Sequence, residues 1–269
     1  MNISVIIPVH DYNEVIQGYL EKAIESITKQ EDVDELPNII LVYSQEIEDE
    51  IKNFEGSHSI GNIVYVKNEG KTDYQAQVNL GVENVTTDYF SVLEFDDEYG
   101  GTYFRNVQKY IDSYPEIDVL LTMMIEVNEQ NQGIKLTNET VWAQQFVGEN
   151  GEMGYLNVNA LKQYTDFKLS GAVIKTSEFR NLGGYKSNIK LTFMYEFLLR
   201  ALNNASKIFS IPKIGYKHLA TREGSLFDVY LKTMPVDERK FWFETATKES
   251  NFMNDRPIDL SRLQKVVAE

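Results

Sequence analysis

Ser4-Val5-Ile6-Ile7-Pro8-Val9 is an almost continuous apolar run, and comparable runs recur at residues 38–43 and 89–93. Runs that do not alternate with polar positions mark strands covered on both faces, as in a parallel sheet. Between them the period changes. Val15, Ile16, Tyr19, Leu20, Ala23, Ile24 and Ile27 recur at helical spacing, with Asp11 or Asn13 placed to cap that helix. Residues 46–54 read as a short acidic helix, residues 62–67 as a third strand, and Ala76, Leu80 and Val85 as the inner face of another helix. This alternation predicts an α/β fold whose central sheet is mostly parallel and Rossmann-like, flanked by helices on right-handed crossovers.

Beyond residue 100 the pattern is less regular. A helix over 102–114 is stopped by Pro115, a strand follows at 119–127, and Gly133 turns the chain into another at 134–137. Residues 138–166 carry Gly148, Gly151 and Gly154 among many Asn and Gln, which predicts a long loop. Then come a strand over 167–175, a short helix from Ser177 closed by Gly183-Gly184, and a strongly apolar helix over 191–203. Two short strands, 207–211 and 214–218, are expected around Pro212, and amphipathic helices over 226–269, aromatic at Phe241-Trp242-Phe243.

The strand at 89–93 runs straight into Glu94, Asp96, Asp97 and Glu98. Such a density of like charge at the end of a buried strand is unfavourable unless a cation sits among the carboxylates. Ligands of open α/β sheets bind beyond the carboxyl ends of the strands, so this tip is a candidate cation site; a solvated acidic turn is the plain alternative. Composition narrows the function. A net charge of −15 argues against a nucleic-acid or anionic-membrane surface, and the absence of cysteine excludes thiolate metal sites and cysteine nucleophiles. The start of the chain leads directly into a strand without a signal-like segment, and no apolar run reaches membrane-spanning length, so a cytoplasmic protein is expected.

Five stretches, in order, resemble the family-2 glycosyltransferases of GT-A fold. They are residues 4–14 with 19–27; Asn68-Glu69-Gly70-Lys71 with Asn79-Leu80-Gly81; Leu93-Glu94-Phe95-Asp96-Asp97; residues 169–174 with Leu182-Gly183-Gly184-Tyr185; and Phe197 to Ala201 with Ile211-Pro212, Tyr216, Arg222 and Ser225. The resemblance implies a GT-A domain over 1–225, its first 100 residues binding a nucleotide sugar and 101–225 the acceptor, with 226–269 as a helical extension. It also implies a nucleotide-sugar donor, with a UDP-sugar favoured, and a divalent cation, Mn²⁺ or Mg²⁺, on its diphosphate. Asp97 would then be the direct metal ligand, Asp96 or Glu94 would face the ribose or a metal-bound water, and His218 would be a further metal or phosphate contact. Pro8, Val9 and Asp11 would border the base, and Lys71 and Gln75 would reach the base or the phosphates. His10 would stand behind them, and His58 on a surface loop.

Two positions depart from the family pattern. Where paired aspartates usually close the second strand, the chain reads Tyr43-Ser44-Gln45, so Ser44 or Gln45 would hydrogen-bond the base and Tyr43 would stack on it. Where inverting members carry an acid pair that includes the general base, Phe193 and Met194 stand. The base would then come from Glu196, from Asp166 or Glu178, or from the donor itself, with a Glu196–Arg200 ion pair as the competing reading. Two other functions remain open: a glycosyltransferase-fold binding or assembly module without turnover, and a nucleotidyltransferase, the latter disfavoured by the lack of a glycine-rich phosphate loop after the first strand. The aromatic C-terminal helices would cover the acceptor, whether glycan, protein or small molecule, or form a homodimer interface.

Overall fold

The computed structural model describes residues 2–58, 62–148, 150–220 and 222–248. Its first half alternates as the pattern predicts, through β1 (Ile3–Val9), α1 (Glu14–Thr28), β2 (Asn38–Ser44), α2 (Glu48–Ser57), β3 (Ile63–Asn68), α3 (Tyr74–Glu83) and β4 (Tyr89–Val92). Every residue of β1 and β4 is buried, because helices cover both faces of the sheet. Asn13 caps α1 by accepting from the N–H groups of Val15 and Ile16, whereas Asp11 accepts only from its neighbour Tyr12. Gly81 lets α3 lie close on β1, since a Cβ there would come within 2.6 Å of Ile6 Cγ2.

The second half contains β5 (Glu98–Tyr99), α4 (Tyr103–Ser113), β6 (Val119–Val127), β7 (Gly133–Thr137), β8 (Gln145–Val147), β9 (Met153–Leu156), α5 (Val158–Gln163), β10 (Val173–Lys175), α6 (Thr176–Asn181), α7 (Phe193–Asn203), β11 (Ile208–Leu219), α8 (Leu226–Thr233) and α9 (Val236–Lys248). Among the described residues these strands join one mixed, mostly parallel sheet in the order β3-β2-β1-β4-β10-β6-β11-β9-β8, with β7 beside β6 and β5 beside β11. β10 runs antiparallel to both β4 and β6, so β1, β4, β6 and β11 all point the same way. Their carboxyl ends meet along one edge.

Odd and even positions of the strands feed two cores. Ile3, Val5 and Ile7 pack toward α1, α2 and α4; Ile6, Val42 and Phe90 pack toward α3, α6 and α7. Phe241 and Trp242 of α9 are buried in the second core, and Lys190 reaches Glu238 at 3.3 Å, which fixes the C-terminal helices beside α7.

Three expectations need correction. Residues 138–166 are not a bare loop: they hold β8, β9 and α5, and β9 is stabilised by pairing with Ile208–Ser210 of β11. Gly154, which reads as a loop signal, serves close packing instead, since a Cβ there would lie 2.6 Å from Ala143 Cβ. The strand expected over 167–175 is only Val173–Lys175; before it the chain turns at Gly171, whose φ is +68°. Last, the two short strands around Pro212 are one, β11, whose register against β6 slips between Ile211 and Ile214. A proline without an N–H is accommodated in such a bulge. Helices α8 and α9 account for the predicted C-terminal helices up to Lys248, and residues 249–269 lie outside the described residues.

Candidate functional site

The acidic tip after β4 folds back on itself. The N–H of Asp97 donates to the carbonyl of Glu94 at 3.0 Å, and the N–H of Glu94 donates to the Tyr216 hydroxyl at 3.1 Å. Asp97 is buried, 1% exposed, and accepts from the N–H of Leu219 at 2.8 Å and from His218 Nδ1 at 2.9 Å. Glu94 accepts from the hydroxyl of Ser170, which arrives on the turn before β10. Asp96 is tied to Arg222, whose Nε donates to it at 2.5 Å while the guanidinium lies over the Phe95 ring.

Burial and the neighbouring Asp97 push the Glu94 carboxyl up to about 7. Asp96 is also raised, by burial and then by Asp97, against the pull of Arg222. Burial works against charge on His218, but Asp97, Glu94 and Asp96 outweigh it and raise the imidazole to about 9. Too many carboxylates share this space, and a protonated His218 and Arg222 compensate them. A divalent cation would do the same. One donor atom each from Glu94, Asp97 and His218 lie within 4.8 Å of one another, a set of two carboxylates and one imidazole suited to Mn²⁺ or Mg²⁺.

The tip forms one wall of a cleft of about 460 Å³. Pro8 and His10 close one end at the carboxyl end of β1; Glu126 and Lys135 stand on the sheet side; Asp166 and Lys168 come from the segment before β10. The remaining wall is apolar, with Phe193 and Met194 of α7 and Leu226, Phe227 and Tyr230 of α8.

The structure gathers Pro8, Glu94, Asp96 and His218 around this cleft, with Asp97 directly beneath. His10 and Asp166 line it as well, but the other residues expected around the base and phosphates do not reach it. Val9 is sealed in the core, and Asp11 is exposed outside the cleft. Ser44 is buried with its hydroxyl taken by Gln77 Nε2 at 2.9 Å, and Gln75 is buried and donates to the Ile189 carbonyl at 2.7 Å. Tyr43 is buried, and Gln45 and Lys71 are exposed. His58 stacks on Phe54 next to Glu21, on the α1–α2 side.

Of the candidate bases, Glu196 is 2% exposed and pairs with Arg200 through both carboxylate oxygens, at 2.8 and 2.9 Å. Glu178 accepts from Ser206, away from the cleft. Asp166 does line the cleft, but it is clasped by Lys135 at 2.5 Å and Lys168 at 3.2 Å. Burial would raise it, yet the two ammonium groups prevail and hold it below the usual carboxylate range. Among the cleft residues that escape sequence reasoning are Ser170, Lys135, Lys168 and Glu126. For Glu126 a signal exists, a lone acid near the end of an otherwise apolar strand.

The pattern of glycosyl transferase family 2 matches residues 4–168. No curated protein matches the sequence. Among solved structures, S. aureus TarS 1-349 in complex with UDP-GlcNAc is similar over 91% of this chain and 65% of its own, with a TM-score of 0.67 at 16% identity. The same fragment in complex with UDP gives 0.60 at 15% identity over 85% of this chain and 62% of its own. A longer TarS structure gives 0.60 at 17% identity, over 86% of this chain and 38% of its own. The chain thus spans just under two thirds of the TarS fragment. At these identities the likeness concerns the fold, and that fold is GT-A.

Proposed function

Since the chain belongs to glycosyl transferase family 2, we propose that it moves a sugar from a nucleoside-diphosphate sugar to an acceptor hydroxyl, using a divalent cation held by Glu94, Asp97 and His218. The observation that carries this reading is the Glu94–Asp97–His218 cluster, with Asp97 buried and the other two half-buried, set at the head of a cleft along the carboxyl edge of the sheet. When bound, the cation would neutralise charge on the departing diphosphate. Asp97, fixed by the Leu219 N–H, would be its direct ligand. Arg222, which binds Asp96 and lines the cleft, would meet a phosphate of the donor. Pro8 and His10 would border the base.

TarS structures hold UDP and UDP-GlcNAc, which supports a UDP-sugar as the donor here. Residues 1–100 would carry the donor, 101–225 the acceptor, and α8 and α9 would close the acceptor side. A second reading, a binding module without turnover, draws on Phe193 and Met194, which give the cleft an apolar wall instead of an acid pair.

Thermal-shift measurements with UDP, UDP-sugars and other nucleotides, each with Mn²⁺ or Mg²⁺, test the proposal. Metal-dependent stabilisation by a nucleotide is expected; no response to any nucleotide with either metal would refute it. Binding without sugar release or transfer would favour the module.

A further inference from the structure

Taking a proton from an acceptor hydroxyl requires a group that faces the cleft and still has a lone pair to offer. Among the described residues, the cleft carboxylates outside the metal cluster are Asp73, Asp96, Glu126 and Asp166. Asp73 caps α3 by accepting from the Ala76 N–H at 2.9 Å. Asp96 is bound to Arg222 at 2.5 Å, and Asp166 is held between two lysines. Glu126 differs. It is 7% exposed, and its ion pair with Lys135 Nζ is long, at 3.4 Å, because Lys135 is drawn to Asp166 at 2.5 Å.

Register places it well. Glu126 on β6 stands opposite His218 of β11 on one side and Lys135 of β7 on the other. Residues directly opposed across neighbouring strands share a face, so Glu126 projects beside the metal cluster. Resting on the nucleotide-sugar reading above, we infer that Glu126 is the general base of transfer. Its carboxylate takes the proton of the acceptor hydroxyl as that oxygen's electron pair forms the bond to the sugar's anomeric carbon. The bond from that carbon to the diphosphate oxygen breaks, and its electron pair leaves with the nucleoside diphosphate. Lys135 is a positioning residue that holds Glu126 turned into the cleft.

The test uses the full chain with Mn²⁺ and a panel of UDP-sugars, water serving as acceptor, and follows UDP release together with UDP binding. Glu126→Gln should lower the release rate by about 100-fold or more, the scale of a lost general base, while the UDP dissociation constant stays within about twofold. Formate should restore part of the rate to Glu126→Ala, which no structural role predicts. UDP release by Glu126→Gln within threefold of wild type would overturn the assignment. So would a loss seen in Asp166→Asn instead, or a wild-type chain that binds UDP yet hydrolyses no donor. Failure to bind UDP at all would overturn the transferase reading first, and the base with it.

Discussion

His218 Nδ1 lies 2.9 Å from Oδ2 of Asp97, although the two residues are 121 positions apart. β4 and β11 deliver them to the same edge, and Leu219, next to His218, donates its N–H to the other oxygen of the same carboxylate. Asp97 is thus both the keystone of the metal cluster and a structural acceptor. Replacing it by Asn keeps the shape but turns a donor toward His218. Asp97→Asn should lose the Mn²⁺-dependent thermal shift and cost about 1–3 kcal/mol, the penalty for a buried group left mispaired. Urea melts with and without Mn²⁺ measure both quantities.

The raised values at the site set a pH dependence with a definite sign. His218 rises from 6.5 to about 9 in the folded chain, and Glu94 from 4.5 to about 7. A group whose folded value is raised contributes stability that is whole below its unfolded value and is lost as pH climbs through the folded one. Without metal, then, stability should fall between pH 6.5 and 9 on account of His218, and between 4.5 and 7 on account of Glu94. Mn²⁺ affinity should rise over the upper window, because the ion competes with the His218 proton. Denaturant midpoints in EDTA and Mn²⁺ titrations across pH 6–9 check the pair of trends; midpoints that climb with pH would contradict them.

Gly171 adopts φ +68°, and a Cβ there would fall 2.2 Å from the Tyr216 ring. Tyr216 accepts the Glu94 N–H, and Ser170 precedes the glycine, so strain would reach the acidic tip directly. Gly171→Ala should cost roughly 2–4 kcal/mol, combining backbone strain with overpacking. It should also weaken Mn²⁺ binding, which calorimetry reads.

Glu196 and Arg200 form a buried pair, with Arg200 also donating to the carbonyls of Leu182 and Gly184. Removing one partner strands a buried charge. Glu196→Ala should therefore destabilise by about 3–5 kcal/mol, while Glu196→Ala combined with Arg200→Met should recover part of that loss. Chemical denaturation of the single and double variants decides it.

The parallel half of the fold was legible because its signals are local: unbroken apolar strands, helices of 3.6-residue period, a capping residue at Asp11 or Asn13. The acidic tip was legible for the same reason, four carboxylates lying in one short stretch. What escaped depends on partners distant in sequence. Ser44 reads as available for a ligand until Gln77 takes its hydroxyl, and Gln75 until the Ile189 carbonyl takes its amide. β8 and β9 look like loop by composition, yet Ile208–Ser210 supply the missing hydrogen bonds. Glu126 acquires meaning only from the register that sets it between Lys135 and His218.

β10 is the one strand between β4 and β6, and it enters the sheet where its neighbours leave it. The chain leaves β1, β4 and β11 at the cleft edge of the sheet, whereas residues 165–170 lead into β10 from that edge, bringing Asp166, Lys168 and Ser170. The excursion from the end of β6 to the start of β10 can therefore lengthen, shorten or change sequence while the spacing of β4, β6 and β11 stays as it is. Under the proposed function, Glu94, Asp97 and His218 would stand on the frame of β4 and β11, and the insert that brings Lys135, Asp166, Lys168 and Ser170 to the cleft would be the part free to vary with the acceptor.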